Sequence, residues 1–240
     1  DSAHPTAAPN RVRPYKVTKM KFYSFWRSLA SFRVRIALNL KQVPHEVVFV
    51  DIDRDEHHGT DYARINPQMA LPSLVLDDGT VLFQSLAILE YLEEQYPTPP
   101  LLPADAKDRA RVRALAAMVA SDMHPLIVPR VQRYFAEEFK LGAEQKTKWM
   151  RHWAGESLNA MEAQLAGHSA TGRFAHGDTP TIADICMAGL VTFSMAQNVD
   201  LSPYPTVKRI FDAAMALPEF AAAHPLRQPD TPEAMRKKPS

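Results

Sequence analysis

Cysteine is nearly missing from this sequence, with Cys186 alone among 240 residues. A single thiol builds no intrachain disulfide framework, which points to a reducing compartment, the cytoplasm, and leaves no Cys-x-x-Cys for disulfide exchange. Glycine is scarce as well, 8 residues against 20 prolines. Neither G-x-G-x-x-G nor G-x-x-x-x-G-K-[ST] occurs, which removes the glycine-rich phosphate loops, and the same scarcity removes collagen-like and low-complexity architectures. Long hydrophobic runs are lacking. No stretch of about 18 apolar residues exists to span a membrane, and residues 1–19 have no apolar core of a secretory signal. An excess of one charge is lacking too, since 28 Lys+Arg face 27 Asp+Glu. What positive excess exists sits in 1–19 and 226–240, while 20–96 is acidic and 97–225 neutral. Such a body offers no electrostatic footprint to a nucleic-acid backbone. Neither nucleic acid nor membrane is expected as a partner, and metal ligands are not expected either.

What is present is proline, and it works as punctuation. Pro5, Pro9 and Pro14 lie in a polar stretch without apolar period, and Pro229, Pro232 and Pro239 lie in a similar one. Both ends, 1–19 and 226–240, are expected to be disordered, the first as an extension ahead of a natural start at Met20. Pro97, Pro99, Pro100 and Pro103 fall in the uncharged segment Tyr96–Ala104. This segment fits neither helix nor central strand and reads as a semi-rigid linker over 97–104 between two domains.

The pattern changes across that linker. Before it, Lys21–Trp26 reads as a strand, and Ser31–Lys41 as a helix with Val34, Ala37, Leu38 and Lys41 on one face. Glu46–Ile52 is a β-branched strand. Ser73–Leu76 and Val81–Phe83 form a hairpin across Asp77-Asp78-Gly79-Thr80. Ser85–Gln95 is helical. The order is β-α-β followed by β-β-α. Beyond the linker only helical periods appear: from near Lys107 to a break or kink at Pro125, then Val131–Phe139, Glu144–Leu165, Ile182–Ala196 and Val207–Leu217. Thr181 and Asp184 have the spacing of a capping box at the start of the 182–196 helix.

Four segments carry a specific resemblance: Ser24–Arg35 (SFWRSLASFRVR), Asn66–Leu74 (NPQMALPSL), Gln84–Glu94 (QSLAILEYLEE) and Thr179–Asp184 (TPTIAD). Set in the architecture above, they resemble the zeta class of the cytosolic glutathione transferases, which includes the maleylacetoacetate and maleylpyruvate isomerases. The resemblance runs from about Met20 to Pro225. It implies an α/β plus all-α fold: an N-terminal thioredoxin-like, glutathione-binding domain over 20–96, then an all-helical C-terminal, electrophile-binding domain over 105–225. It also implies a homodimer, glutathione as cofactor and a small electrophile as substrate.

The residues give that resemblance physical content. Lowering a thiol pKa by about 2 units takes roughly 2.7 kcal/mol, which a hydroxyl at a helix N-terminus supplies through a hydrogen bond and the helix dipole. Ser28, after a strand and before a helix, stands where such a hydroxyl belongs. It could equally be a plain cap, and Tyr23 is the rival hydroxyl; the resemblance decides for Ser28 as catalytic. Leu71-Pro72 could be an ordinary trans bond opening a strand, the commoner form; the resemblance decides for cis, which would turn the Leu71 backbone toward the cysteinyl backbone of glutathione. Gln84 and Ser85, opening a helix, suit the γ-glutamyl carboxylate. By resemblance Gln68 is a further glutathione contact and His124 approaches the glycine end. Arg27 and Arg130 match family arginines that clamp a carboxylate-bearing substrate.

Two departures stand out. The class usually reads Ser-Ser-Cys where this chain has Ser28-Leu29-Ala30, and an arginine is expected near the apolar pair Met195-Ala196. These imply a less anionic or different electrophile. The alternative reading is a non-catalytic glutathione-binding module on the same fold.

Overall fold

A computed structural model describes residues 20–236. The expected N-terminal extension, 1–19, and residues 237–240 lie outside the described residues.

Strand β1 (Lys21–Ser24) leads into helix α1 (Leu29–Leu40) and returns as β2 (Glu46–Phe49), which pairs parallel to β1. A parallel pair needs a crossover of helical length, and α1 supplies it. Helix α2 (Thr60–Ile65) precedes β3 (Ser73–Val75), β4 (Val81–Phe83) and helix α3 (Ser85–Gln95). The sheet order is β2-β1-β3-β4, with β3 antiparallel to both its neighbours. Successive side chains in a strand face opposite ways. Phe22 and Leu74, partners across β1 and β3, are fully buried with Val34 and Leu38 of α1 and Ile88, Leu89 and Leu92 of α3. Their neighbours Tyr23 and Ser73 meet Tyr62 of α2, whose ring lies 5.7 Å from Tyr23 and whose hydroxyl is 2.8 Å from Ser73 Oγ. The hairpin turns as the Asp-Gly pair predicts. Gly79 takes φ +88° and the Leu76 N–H donates to the Thr80 carbonyl at 2.8 Å.

After α3 the described chain is helical: α4 (Ala106–Ala117), a π-helical stretch (Met118–Met123), α5 (His124–Ile127), α6 (Pro129–Glu138), α7 (Ala143–Leu165), α8 (Ile182–Ala196), α9 (Pro205–Met215) and α10 (Pro218–Ala223). The π stretch ends just before Pro125. A proline ring collides with the carbonyl four residues back, here Ser121 inside the widened turn. Helix α8 is buried on every side from Ile182 to Val191 and forms the axis of the helical half. At its start Asp184 accepts from the Thr181 N–H, as the capping box predicts, and also from the Thr181 hydroxyl and the Ala175 N–H, at 2.7–2.8 Å. One continuous apolar cluster reaches from Met20 to Ala223.

Beyond shifts of up to three residues at element ends and the unexpected short helix α10, two stretches differ from expectation. Helix α2 falls in a stretch whose sequence shows no apolar period, because Tyr62 is its one buried side chain. The disordered tail expected from 226 is corrected over residues 226–236. Asp230 accepts from the Trp26 N–H at 2.7 Å, and the buried Gln228 and Thr231 donate to the carbonyls of Ala222, His224 and Pro225. Polar side chains fix this segment by satisfying backbone groups, which hydrophobic periodicity does not register.

Replacing Asp184 by Ala strands two backbone N–H groups and a hydroxyl in the core, at about 1–3 kcal/mol for each unsatisfied group. Urea unfolding is expected to show a loss of at least about 3 kcal/mol, with Asp184→Asn losing less because it keeps one acceptor oxygen.

Candidate functional site

The loop between β1 and α1 carries Trp26, Arg27 and Ser28, and the buried Arg35 shapes it from within the helix. Arg35 donates to Ser24 Oγ at 3.1 Å and to the carbonyls of Phe25, Trp26 and Ala223 at 3.2, 3.0 and 2.9 Å. Burial lowers its pKa to about 9, opposed by Asp230, which still leaves it cationic at neutral pH. Ser28 is the N-cap of α1, in extended conformation, and its Oγ accepts from the Ser31 N–H at 3.2 Å. That bond uses a lone pair and leaves the hydroxyl proton to be donated elsewhere. No acidic residue lies in the first turn of this 12-residue helix, so the positive end of its dipole is unopposed there.

Beside this terminus the Leu71-Pro72 bond is cis, as expected. Gln84, immediately ahead of α3, takes φ 67° and ψ 117°, a sparsely populated region worth about 1–3 kcal/mol of strain of the kind that collects at functional sites. Its Nε2 donates to Gln68 Oε1 at 2.9 Å. Ser85, first residue of α3, is buried. Its Oγ accepts from Arg33 Nε at 3.0 Å, and the same guanidinium reaches His124 Nδ1 at 3.2 Å.

Two of the expected site residues, Gln68 and Gln84, therefore touch directly, and Ser85 and His124 are joined through Arg33. Arg27 lies on the β1–α1 loop and Arg130 in the first turn of α6, and no contact joins them. Arg27 pairs with Asp53, and Arg133 of α6 pairs with Asp55 at 2.7 Å. The 51–58 loop is thus tied both to the catalytic-side loop and to the helical half. The ring of Tyr23, the rival hydroxyl, packs against that of Tyr62. Cys186 is fully buried and its thiol is pushed up to about 11 by desolvation, so it is a core residue and no nucleophile.

Chain segments match two family profiles, "Glutathione S-transferase, N-terminal domain" over residues 27–95 and "Glutathione S-transferase, C-terminal domain" over 124–218. The chain belongs to the glutathione S-transferase family. Within that family it is similar to the maleylpyruvate isomerase of Ralstonia sp, 45% identical over 213 residues that cover 88% of this chain and 100% of the relative. It is similar in structure to a holo maleylpyruvate isomerase described as a bacterial glutathione transferase of the zeta class, with TM-score 0.86 and 43% identity over 88% of this chain and 100% of that one. A maleylacetoacetate isomerase from Methylobacterium extorquens AM1, solved with malonate and glutathione, gives TM-score 0.86 and 47% identity over 88% of this chain and 99% of that one. The thioredoxin-like half followed by a helical half is the fold of these transferases.

Sequence reasoning gave the arginines of Ser-x-x-x-x-Arg-x-Arg no role of their own. The available signal was their setting. Arg33 and Arg35 interrupt an otherwise apolar run, Phe32, Val34 and Ile36, in a helix buried all round. A charge so placed calls for hydrogen-bond partners built around it.

His124 is held neutral in the transferase. Burial is the first cause and the cations Arg33 and Arg130 add to it, lowering its pKa to about 3. The unfolded chain takes up this proton near 6.5, so the group weakens the fold as pH falls from about 6.5 toward about 3. Asp184 acts in the opposite direction. Its folded pKa is raised to about 6 by burial against its hydrogen bonds, so its contribution grows as pH falls through 6. The thermal midpoint of His124→Gln is therefore expected to fall less steeply between pH 6.5 and 4 than that of the wild type, in parallel calorimetric scans.

Proposed function

We propose that the protein is a glutathione-dependent cis–trans isomerase acting on a maleylpyruvate- or maleylacetoacetate-like electrophile, with Ser28 as the residue that stabilises the thiolate. The observation that carries this reading is the Ser28 hydroxyl at the uncompensated N-terminus of α1, with a proton to donate. The kinship with isomerases at 45% and 47% identity supports it. When bound, glutathione supplies the sulfur that adds to a cis double bond conjugated to a carbonyl, permits rotation about the resulting single bond and leaves again on elimination.

The chain's residues fit that cofactor. Leu71, beside the cis bond, makes no hydrogen bond through its backbone N–H or C=O to any described residue, and these groups suit an added strand. Gln84 keeps an amide oxygen and one N–H beyond its bond to Gln68. Ser85 keeps its hydroxyl proton at a helix N-terminus, where a carboxylate is favoured. His124 faces the glycine end.

Arg27 and Arg130 would anchor substrate carboxylates as planar, always charged donors. Arg27 is half exposed and already paired with Asp53, and Arg130 is exposed on α6. Helix α8 ends in Met195, 53% exposed, and Ala196, so one anchor of the usual set is replaced by apolar surface and a less anionic electrophile fits this side. The protein is further proposed to act in the cytoplasm as a homodimer. Phe83 on edge strand β4, 52% exposed, is the kind of apolar surface that a second copy covers. Among the described residues no helix is long and apolar enough to cross a membrane.

The Ser28→Ala variant is expected to lose the ultraviolet thiolate absorbance of bound glutathione and about a hundredfold in turnover, the equivalent of about 2 pKa units. Equal absorbance and turnover in variant and wild type would overturn the assignment of Ser28. On the substrate side, introducing arginine at Met195 or Ala196 is expected to lower KM for maleylpyruvate and leave that for an uncharged aryl halide unchanged. Steady-state kinetics on the two substrates read this directly.

A further inference from the structure

The buried guanidinium of Arg33 makes two contacts, to Ser85 Oγ at 3.0 Å and to His124 Nδ1 at 3.2 Å. Its third arm, Nη1, is buried with no partner among the described residues. Arg33 is 2% exposed. Apart from burial, the group that acts on its charge is Cys186, a thiol held protonated by its own surroundings. No anion neutralises this cation from within the described residues.

A guanidinium has only donors, so each atom it touches must accept. The Nδ1 of His124 therefore carries a lone pair, and the neutral ring carries its proton on Nε2. Ser85 likewise spends a lone pair of Oγ on Arg33 Nε and keeps its O–H to give away. One planar group thus converts two ambivalent side chains into two donors, on α3 and α5. The backbone N–H groups of the first turn of α3, which no intrahelical carbonyl satisfies, stand beside them.

We propose that Arg33 is a positioning residue that presents two donors to a peptide-like ligand with a carboxylate at each end: it fixes His124 as the Nε2–H donor and Ser85 as an O–H donor. The buried positive charge behind them favours an anionic ligand over a neutral one. The identification of that ligand with glutathione rests on the function proposed above, whereas the tautomer and the donor arrangement belong to the protein by itself. The groups acting on the charge of His124 are Arg33 from α1 and Arg130 from α6. Both are cations, and both oppose an imidazolium.

The test begins with nitrogen-15 NMR of the histidine rings in the ligand-free wild type, assigned with His124→Gln. His124 is expected to show the Nε2–H tautomer and no titration between pH 8 and about 4. A ring protonated at Nδ1, or one titrating near 6.5, overturns the proposal without any variant. Arg33→Lys then keeps charge and approximate volume but loses the planar fork that holds the two acceptors at fixed angles. It is expected to give mixed tautomers and at least a threefold weaker Kd for glutathione by titration calorimetry, with circular dichroism unchanged. Arg33→Met is expected to raise the pKa of His124 by one unit or more and to weaken glutathione tenfold or more. Unchanged tautomer and affinity in Arg33→Lys overturn the proposal even where Arg33→Met does not fold. Failure of the wild type to bind glutathione would instead sink the functional reading, leaving the tautomer result to stand or fall alone.

Discussion

The joint between the two halves is an ion pair in the core. Lys41, just past the end of α1, places its ammonium 2.6 Å from Glu93 Oε2 and 2.6 Å from the carbonyl of Pro99. Glu93, in the last turn of α3, also accepts from the N–H groups of Leu101 and Leu102 at 2.9 and 3.2 Å. Such a pair adds little net stability, because desolvation nearly cancels its attraction, yet removing one member leaves a buried charge with no partner. Its consequence is geometric. The proline-rich segment leaving α3 is strapped back onto α1, so α4 can depart in one direction only. His124 sits on the continuation of that helix, and its distance to Ser85 depends on the strap.

Helix α1 then organises everything on the other side of that joint. It is buried around its whole circumference from Ala30 to Leu38, so each of its charged side chains needs built-in partners. Arg35 finds them in the carbonyls of the β1–α1 loop and thereby fixes the position of Ser28 relative to the helix end. Arg33 finds them in Ser85 and His124. The dipole, the hydroxyl at its positive end and the orientation of the neighbouring donors thus come from a single element. The buried Arg33 has no anionic partner among the described residues and His124 beside it is neutral, which suits a ligand that brings carboxylates.

The sequence was most legible where a local rule acts alone. Helices 85–95 and 182–196 and strand 81–83 begin and end where apolar period, capping residue and Asp-Gly turn place them. The Ser28 cap and the Thr181–Asp184 box follow from residue type in context, whereas the cis Leu71-Pro72 bond was legible only through the family resemblance. Features that depend on distant partners were not legible. Arg33 reaches Ser85 and His124 across 52 and 91 residues, and Trp26 meets Asp230 across 204. No local window contains both ends of such contacts. The tail was misread for the same reason, since polar and proline-rich composition describes a segment that cannot form its own core, and 226–236 borrows one from the first half.

The substrate side shows how little new charge burial the proposed chemistry requires. Arg27 is held by Asp53 in an exposed pair, each side chain about half accessible, so its desolvation is small and its net attraction weak. A substrate carboxylate that takes Arg27 replaces one carboxylate by another, and the exchange is close to neutral in charge and in hydrogen bonds. Discrimination between electrophiles then falls on the second anchor and on the apolar surface opposite. With the apolar pair Met195-Ala196 in place of the arginine that the resemblance implies, the proposed second carboxylate is left to Arg130. Under the proposed reading, Ser28 and Ser85 keep their places at two helix N-termini, and the departures from the isomerases that the chain resembles fall on the side proposed to meet the electrophile.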